Sequence, residues 1–293
     1  MAVATVWRFF TRAREIAQGT AHELYGGFKL AADVPSFARI ASDIFLSRLI
    51  RRVPLPNRDR DRVIRVRGGV KLHYRLNRGD IQSIREVWMD ECYRLPFDVR
   101  PRHLVDLGAN IGLTSLWYAH RYGCSVTAVE PSPENARLAR LNLERNRVPA
   151  EVFEAAVGPR DGTATFEDAG DSNVGHLDAT GAGRPVTVMS METVLARMPA
   201  GAEADLVKMD IEGGEGPLLK ENLGWLKRVR SLIAEFHPTL IDYPAAIKSI
   251  EGQGFRYYPA HSASDFDSMD AFMRTAPGGL NQSGAPGSAA SSV

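Results

Sequence analysis

Asp106, Gly108, Asn110 and Gly112 stand at alternate positions in the run HLVDLGANIGLTSLWYAHRYGCSVTAVEPSPEN (103–135), and Glu130 closes its second apolar stretch. A buried strand, a glycine-bearing turn, a helix and a second strand ending in an acid make a βαβ unit, the usual frame of a nucleotide pocket. A dinucleotide turn wants a second glycine where this chain has Asn110. A carboxylate at Asp106 repels a pyrophosphate but suits a ligand with an ammonium and a sulfonium, and S-adenosylmethionine (SAM) is such a ligand. Asp106 is expected to hold its amino group, directly or through water, and Asn110 to bond its carboxylate end. The glycines would let the backbone approach the ligand closely. Glu130, 22 positions after Gly108, would accept both ribose hydroxyls, a role that serves NAD equally well.

Other strand ends add to this pocket. Glu154, Ala155 and Ala156 end a third strand, where an adenine edge would lie. The run KMDIEGGEG supplies Lys208, Asp210, Glu212, Gly213 and Glu215. Clustered carboxylates are costly unless they meet a ligand, a cation or a helix N-terminus; the plainer reading is that Glu212 and Glu215 complement the dipole of the next helix. In AEFHP (234–238), His237 could be a general base, because an imidazole titrates near neutrality. A structural histidine before proline is the plainer reading. The catalytic set is therefore His237, Asp210 and Glu212, with His237 or Asp210 as base and Glu212 orienting the substrate. The polar loop Asp171–His176 is expected to cover the donor or touch the acceptor. Asp210 and Glu212 alone do not complete a ligand set, so no metal is expected.

These residues need a scaffold of alternating strands and helices. Strands are predicted at HLVDL, SVTAVE, AEVFEAAV, VTVMS, DLVKMD and SLIAEFH, with GFRYYPA and DAFMRT near the end. Helices are predicted over 112–122, 133–146, about 190–198, 214–227 and 239–252. Ser132-Pro133-Glu134 is a good helix start, with a hydroxyl cap, a proline at the first turn and an acid at the positive dipole end. Such alternation implies an α/β fold with a mostly parallel sheet covered by helices on both faces. Upstream, IRVRGGVKLHYRL reads as a hairpin around Gly68-Gly69, and IQSIREVWMDECY as a helix.

Residues 1–55 read as a helical, amphipathic extension. Trp7, Phe10, Ile16, Phe37, Ile40, Ile44, Leu46 and Leu49 recur at spacings of three and four, with arginines between them. Among residues 1–75 there are 15 Lys/Arg against 6 Asp/Glu, while the whole chain carries a net charge of only +1. Such helices either pack on the rest of the protein or make peripheral contact with an anionic membrane surface. Pro54 and Pro56 end the extension. The Gly/Ser/Ala-rich tail, 277–293, has the composition of disorder.

The near-neutral charge argues against nucleic acid as a partner. Cys92 and Cys124 are too few for a disulfide framework or a zinc site, so both are expected to be structural and the setting a reducing cytoplasm. No apolar run reaches the roughly 18 residues of a membrane span.

From about Val63 to Thr275 the chain resembles the FkbM family of SAM-dependent methyltransferases. The resemblance rests on VDLGANIGLTSLWYA, VTAVEPSPENARLARLNLERN, AAVG with Asp161-Gly162, DSNVGHL, LVKMDIEGGE and IAEFHP together. Gly214 stands where the family more often has alanine, leaving a more flexible turn. The resemblance implies a Rossmann-like class I methyltransferase domain over 60–276, a seven-stranded sheet whose final strand is antiparallel, and SAM as methyl donor. It implies O-methylation of a hydroxyl on a sugar, a glycan or a secondary metabolite. The cofactor-binding set is Asp106, Gly108, Ala109, Asn110, Gly112, Glu130, Pro131, Ala155, Ala156 and Asp210. An NAD-dependent oxidoreductase and a non-catalytic SAM-binding protein are the rival readings.

Overall fold

The computed structural model describes residues 19–49, 60–168, 175–178, 183–198, 202–262 and 268–275. The chain is helical over 19–30 (α1) and again in α2 (Val34–Leu49). A two-stranded antiparallel hairpin follows, β1 (Arg62–Arg65) and β2 (Lys71–Tyr74), turned at Gly68 and Gly69, both with φ of +86°. Next comes α3 (Arg78–Ile84), capped by Asn77, whose side chain accepts from the Asp80 backbone N–H; its end widens into a π turn over Arg85–Met89.

From His103 the expected alternation sets in: β3 (His103–Leu107), α4 (Leu113–Tyr122), β4 (Ser125–Glu130), α5 (Pro133–Arg145) and β5 (Ala150–Glu154). Four strands then leave the main sheet: β6 (Ala156–Gly158), β7 (Gly162–Asp168), β8 (Gly175–Asp178) and β9 (Arg184–Ser190), paired in the order β6-β9-β7-β8. The segment VTVMS, in β9, thus lies in this side sheet rather than in the main one. The chain returns through α6 (Met191–Ala196), β10 (Leu206–Met209), α7 (Glu215–Lys220), a 3-10 turn at Leu223–Arg228, β11 (Ser231–Phe236), α8 (Tyr243–Glu251), β12 (Phe255–Ser262) and β13 (Ser268–Arg274). The single helix predicted over 214–227 is broken at Asn222, whose left-handed backbone (φ +54°) cannot continue a helix. The helix predicted from 239 starts only at Tyr243, where the Asp242 side chain accepts from the Ala245 N–H.

The main sheet has seven strands in the order β5-β4-β3-β10-β11-β13-β12. Pairing is parallel from β5 to β11; β13 runs antiparallel to both of its neighbours. This is a Rossmann-like sheet with the antiparallel final strand that the resemblance implies. Strand order reverses between β3 and β10, the crevice where such sheets bind ligands. All four residues of β10 are buried, as a strand covered on both faces requires. Alternation along β3 sends Leu104 to one core and Val105 to the other. The first core, with Trp117, Tyr118 and Leu138, also takes Ile40 and Ile44 from α2 and Leu72 and Tyr74 from the hairpin. The α2 helix is therefore part of the main core, not an appendage.

Asp43 ties that seam. It is fully buried and accepts from Tyr74 Oη (2.6 Å) and Arg62 Nη1 (2.8 Å). Burial, then the Asp43 charge, pushes the Tyr74 phenol far above its ordinary range, so it stays a donor. Both cysteines are free thiols; burial pushes Cys124 up to about 12 and raises Cys92 as well, which keeps them unreactive. Among the described residues no helix is long and apolar enough to cross a membrane. Residues 1–18, Pro54, Pro56 and the tail 277–293 lie outside the described residues. Removing the Asp43 carboxylate leaves a buried hydroxyl and a half-buried guanidinium unpaired, so Asp43→Ala should lower the unfolding free energy by about 2–4 kcal/mol in a urea titration.

Candidate active site

The turn after β3 holds three left-handed residues at alternate positions: Gly108 (φ +71°), Asn110 (φ +50°) and Gly112 (φ +77°). Asparagine tolerates this conformation better than most side chains. A Cβ on Gly108 would lie 1.8 Å from the Asp210 carbonyl oxygen, and one on Gly112 would lie 2.9 Å from Ala139 Cα. The glycines thus let the turn press against the end of β10 and α4 press against α5.

Asp106 is also placed differently from the expectation. Its side chain has no exposed surface. One carboxylate oxygen accepts from Ser115 Oγ (2.6 Å), and the other lies 3.3 Å from Lys208 Nζ. No face of it is left to touch a donor's amino group. Lys208, equally buried, donates to the carbonyls of Gly108 (2.6 Å) and Leu107 (3.3 Å) and lies 3.5 Å from Asp210. Burial works against its charge, but Asp106 and Asp210 outweigh that and hold the ammonium protonated.

Glu130 ends β4 beside the same turn and is 5% exposed. It accepts from the backbone N–H of Asn110 (2.7 Å) and of Ser132 (2.9 Å). Burial pushes its carboxyl up to about 7, against the pull of these bonds. Asn110 donates from Nδ2 to Ser83 Oγ (3.0 Å), while its Oδ1 is buried without a hydrogen-bond partner. Ala109, Ala155 and Ala156 are buried next to this corner, and the Ala155 N–H donates to the Glu130 carbonyl (3.2 Å). The Pro131 carbonyl accepts from Arg184 of β9. Glu154, the last residue of β5, is exposed.

Across the crevice lie the ends of β10 and β11. Asp210 Oδ2 accepts from Tyr93 Oη (2.9 Å), and the same hydroxyl is 3.1 Å from Glu235 Oε2. Tyr93 is buried under Lys208, whose Nζ lies 5.4 Å from the ring centroid. Burial, then the Asp210 charge, pushes the Glu235 carboxyl up to about 8; burial also raises Glu86 nearby. One phenolic hydrogen serves one carboxylate at a time, and a protonated Glu235 supplies the second hydrogen of the trio.

His237 stands between two acids. Its Nε2 is 3.3 Å from Glu212 Oε2, and its Nδ1 is 3.3 Å from Glu215 Oε1. Glu215, fully buried, also accepts from the Ile211 N–H (3.0 Å). Burial disfavours the imidazolium, but Glu215, then Asp210 and Glu212, more than offset it and raise His237 to about 10. Both ring nitrogens thus face carboxylates, an arrangement that favours the charged imidazole and makes His237 a weaker candidate for the base than Asp210. Glu212 holds a left-handed backbone (φ +52°), and a Cβ on Gly213 would press on Leu240 at 3.0 Å. Gly214 opens α7 with an ordinary helical backbone.

The structure thus brings together the turn, Glu130 and Asp210, then Glu212 and His237 beside them. Asp171–Val174 of the expected cover loop lie outside the described residues; Gly175 and His176 belong to β8. Tyr93 and Glu235 went unread. Tyr93 ends the stretch IQSIREVWMDECY, read as a helix, but the helical part stops at Met89 and leaves Tyr93 beyond it; Glu235 looks like an ordinary outward residue of a buried strand.

The family model described as the methyltransferase FkbM domain matches residues 106–276, more than half of the chain. The chain is similar to Methyltransferase 1 of Beauveria bassiana (strain ARSEF 2860), 25% identical over 201 residues, covering 58% of this chain and 79% of that one. Among solved structures it is similar to the bifunctional kinase-methyltransferase WbdD (18% identity, TM-score 0.37, 60% of this chain and 35% of that one). It is also similar to human methyltransferase 10 domain containing protein (12% identity, TM-score 0.45, 81% and 97%). The chain spans about a third of the length of the WbdD chain.

A histidine raised from 6.5 to about 10 stabilises the fold fully below pH 6.5 and loses that contribution as pH rises through 10. Between pH 7 and 10 the unfolding free energy of the wild type should fall more steeply than that of His237→Gln, by up to about 1.4 kcal/mol per pH unit. Urea titrations across that range check this; parallel curves would show that the paired imidazolium does not exist.

Proposed function

The chain belongs to the FkbM methyltransferase family, and from that premise we propose that this crevice binds SAM and methylates a hydroxyl of a sugar, a glycan or a secondary metabolite. The observation that carries the reading is the close packing of a donor corner against an acid-lined acceptor corner. Gly108 touches the backbone of Asp210, so a ligand on the β3 turn has its reactive end next to the acids of β10 and β11.

The donor corner suits SAM. Glu130 uses one lone pair on each oxygen for backbone N–H groups, which leaves further acceptor capacity for two ribose hydroxyls. The buried, unpartnered Asn110 Oδ1 offers an acceptor for an ammonium. Gly108, Ala109, Gly112 and Pro131 shape the backbone around them, and Ala155 and Ala156 supply a small apolar wall for a base. Asp106 contributes by fixing Lys208 beneath the turn. The acids Asp210 and Glu212 favour a cationic sulfonium over a pyrophosphate, which weighs against NAD.

Bound there, SAM supplies a methyl group on a sulfonium, which leaves as neutral thioether while the acceptor oxygen gains the methyl. The chain aligns the acceptor and takes its hydroxyl proton. Asp210 is the group for that proton, because it is 23% exposed, follows the turn directly and has Lys208 to steady its charge. Tyr93 orients its carboxylate from behind. Glu212 orients the acceptor, and His237, held between Glu212 and Glu215, positions it.

Calorimetric titration tests the donor corner. The wild type should bind SAM and not NADH, and Glu130→Ala should weaken SAM binding at least about tenfold, or about 1.4 kcal/mol. Unchanged SAM affinity in that variant, or NADH binding instead of SAM, would overturn the reading.

A further inference from the structure

We propose that Asp210, Glu212 and His237 form a divalent-cation site on the acceptor side of the crevice. The proposal deepens the methyltransferase reading and rests on it for the acceptor's place. One oxygen or nitrogen from each of the three residues can be chosen so that all lie within 4.8 Å of one another. Ligand atoms on one ion, with bonds of about 2.0–2.4 Å, stand at most about 4.8 Å apart, so the three are near enough to share one.

The imidazole is prepared for such a role from behind. Its Nδ1 faces the buried Glu215 Oε1, which is itself fixed by the Ile211 N–H, and its Nε2 points to Glu212, where an ion would take the place of the Nε2 proton. Metal-binding histidines are characteristically oriented by a carboxylate on the other ring nitrogen. Lys208 lies 3.5 Å from Asp210 but is held beneath the turn by Asp106 and two carbonyls.

Asp210 and Glu212 side chains are 23% and 26% exposed, and His237 is 10% exposed. Two carboxylates and one imidazole leave open positions for water and an acceptor oxygen, a set that suits Mg²⁺ or Mn²⁺. A hydroxyl coordinated to such an ion loses its proton more readily, which eases transfer to the neighbouring Asp210. The acceptor class that profits most carries a second oxygen next to the reacting hydroxyl, as in a vicinal diol, so that it can chelate.

The test uses Mn²⁺ and the full-length protein stripped with a chelator. Calorimetry should show one Mn²⁺ per chain, weakened at least tenfold in His237→Gln and in Glu212→Gln, the second being a partly exposed side chain whose loss leaves the core intact. Pulsed electron paramagnetic resonance should show nitrogen coupling to Mn²⁺ in the wild type and none in His237→Gln. No Mn²⁺ binding by the wild type, or binding unchanged in both variants, overturns the proposal. SAM titrated in the presence of chelator reads the donor corner separately. SAM binding without Mn²⁺ binding sinks only the cation site, and Mn²⁺ binding without SAM binding sinks only the donor reading.

Discussion

The crevice depends on one buried ammonium. Lys208 belongs to β10 but spends its charge on β3, through Asp106 and the carbonyls of Leu107 and Gly108. Burying a charge is expensive unless several partners meet it in good geometry, and here two carboxylates, two carbonyls and the Tyr93 ring do so. The same contacts set the spacing between the turn and Asp210. A shorter or uncharged side chain would leave Asp106 as an unpaired carboxylate in the core, and the two halves of the site would lose their common anchor.

Much of this was legible from residue types. The βαβ unit, Glu130 at the end of β4 and the acids after β10 all follow from local pattern, because strand ends and turns have local signatures. The seven strands and the antiparallel last one followed from the family resemblance, and the side sheet did not, since VTVMS looks like any buried strand until its partners are known. The helix over 214–227 failed for a local reason, the left-handed Asn222, which no propensity marks.

The site was less legible than the fold. Asp106 has the right type in the right place, but alternation along β3 turns it inward to Ser115 and Lys208. His237 has a near-neutral reference pKa, yet what decides its protonation is Glu215, 22 residues away, and Glu212 on another segment. Long-range charge partners of this kind set protonation states and leave no trace in spacing. Tyr93 bridges Asp210 and Glu235 from just past the end of the helix at Met89, where a pattern read as continuous helix gives no hint of it.

The seam held by Asp43 shows where the folding unit begins. The family signature starts at residue 106, yet Ile40 and Ile44 of α2 fill the same core as Leu104 and Trp117, and α3 leads to the stretch that delivers Tyr93. Homology boundaries drawn at the signature would cut through this core. The folding unit is therefore longer than the recognisable signature: α2 and the hairpin belong to the architecture of the domain, and a fragment begun at residue 106 would lack side chains that fill its core.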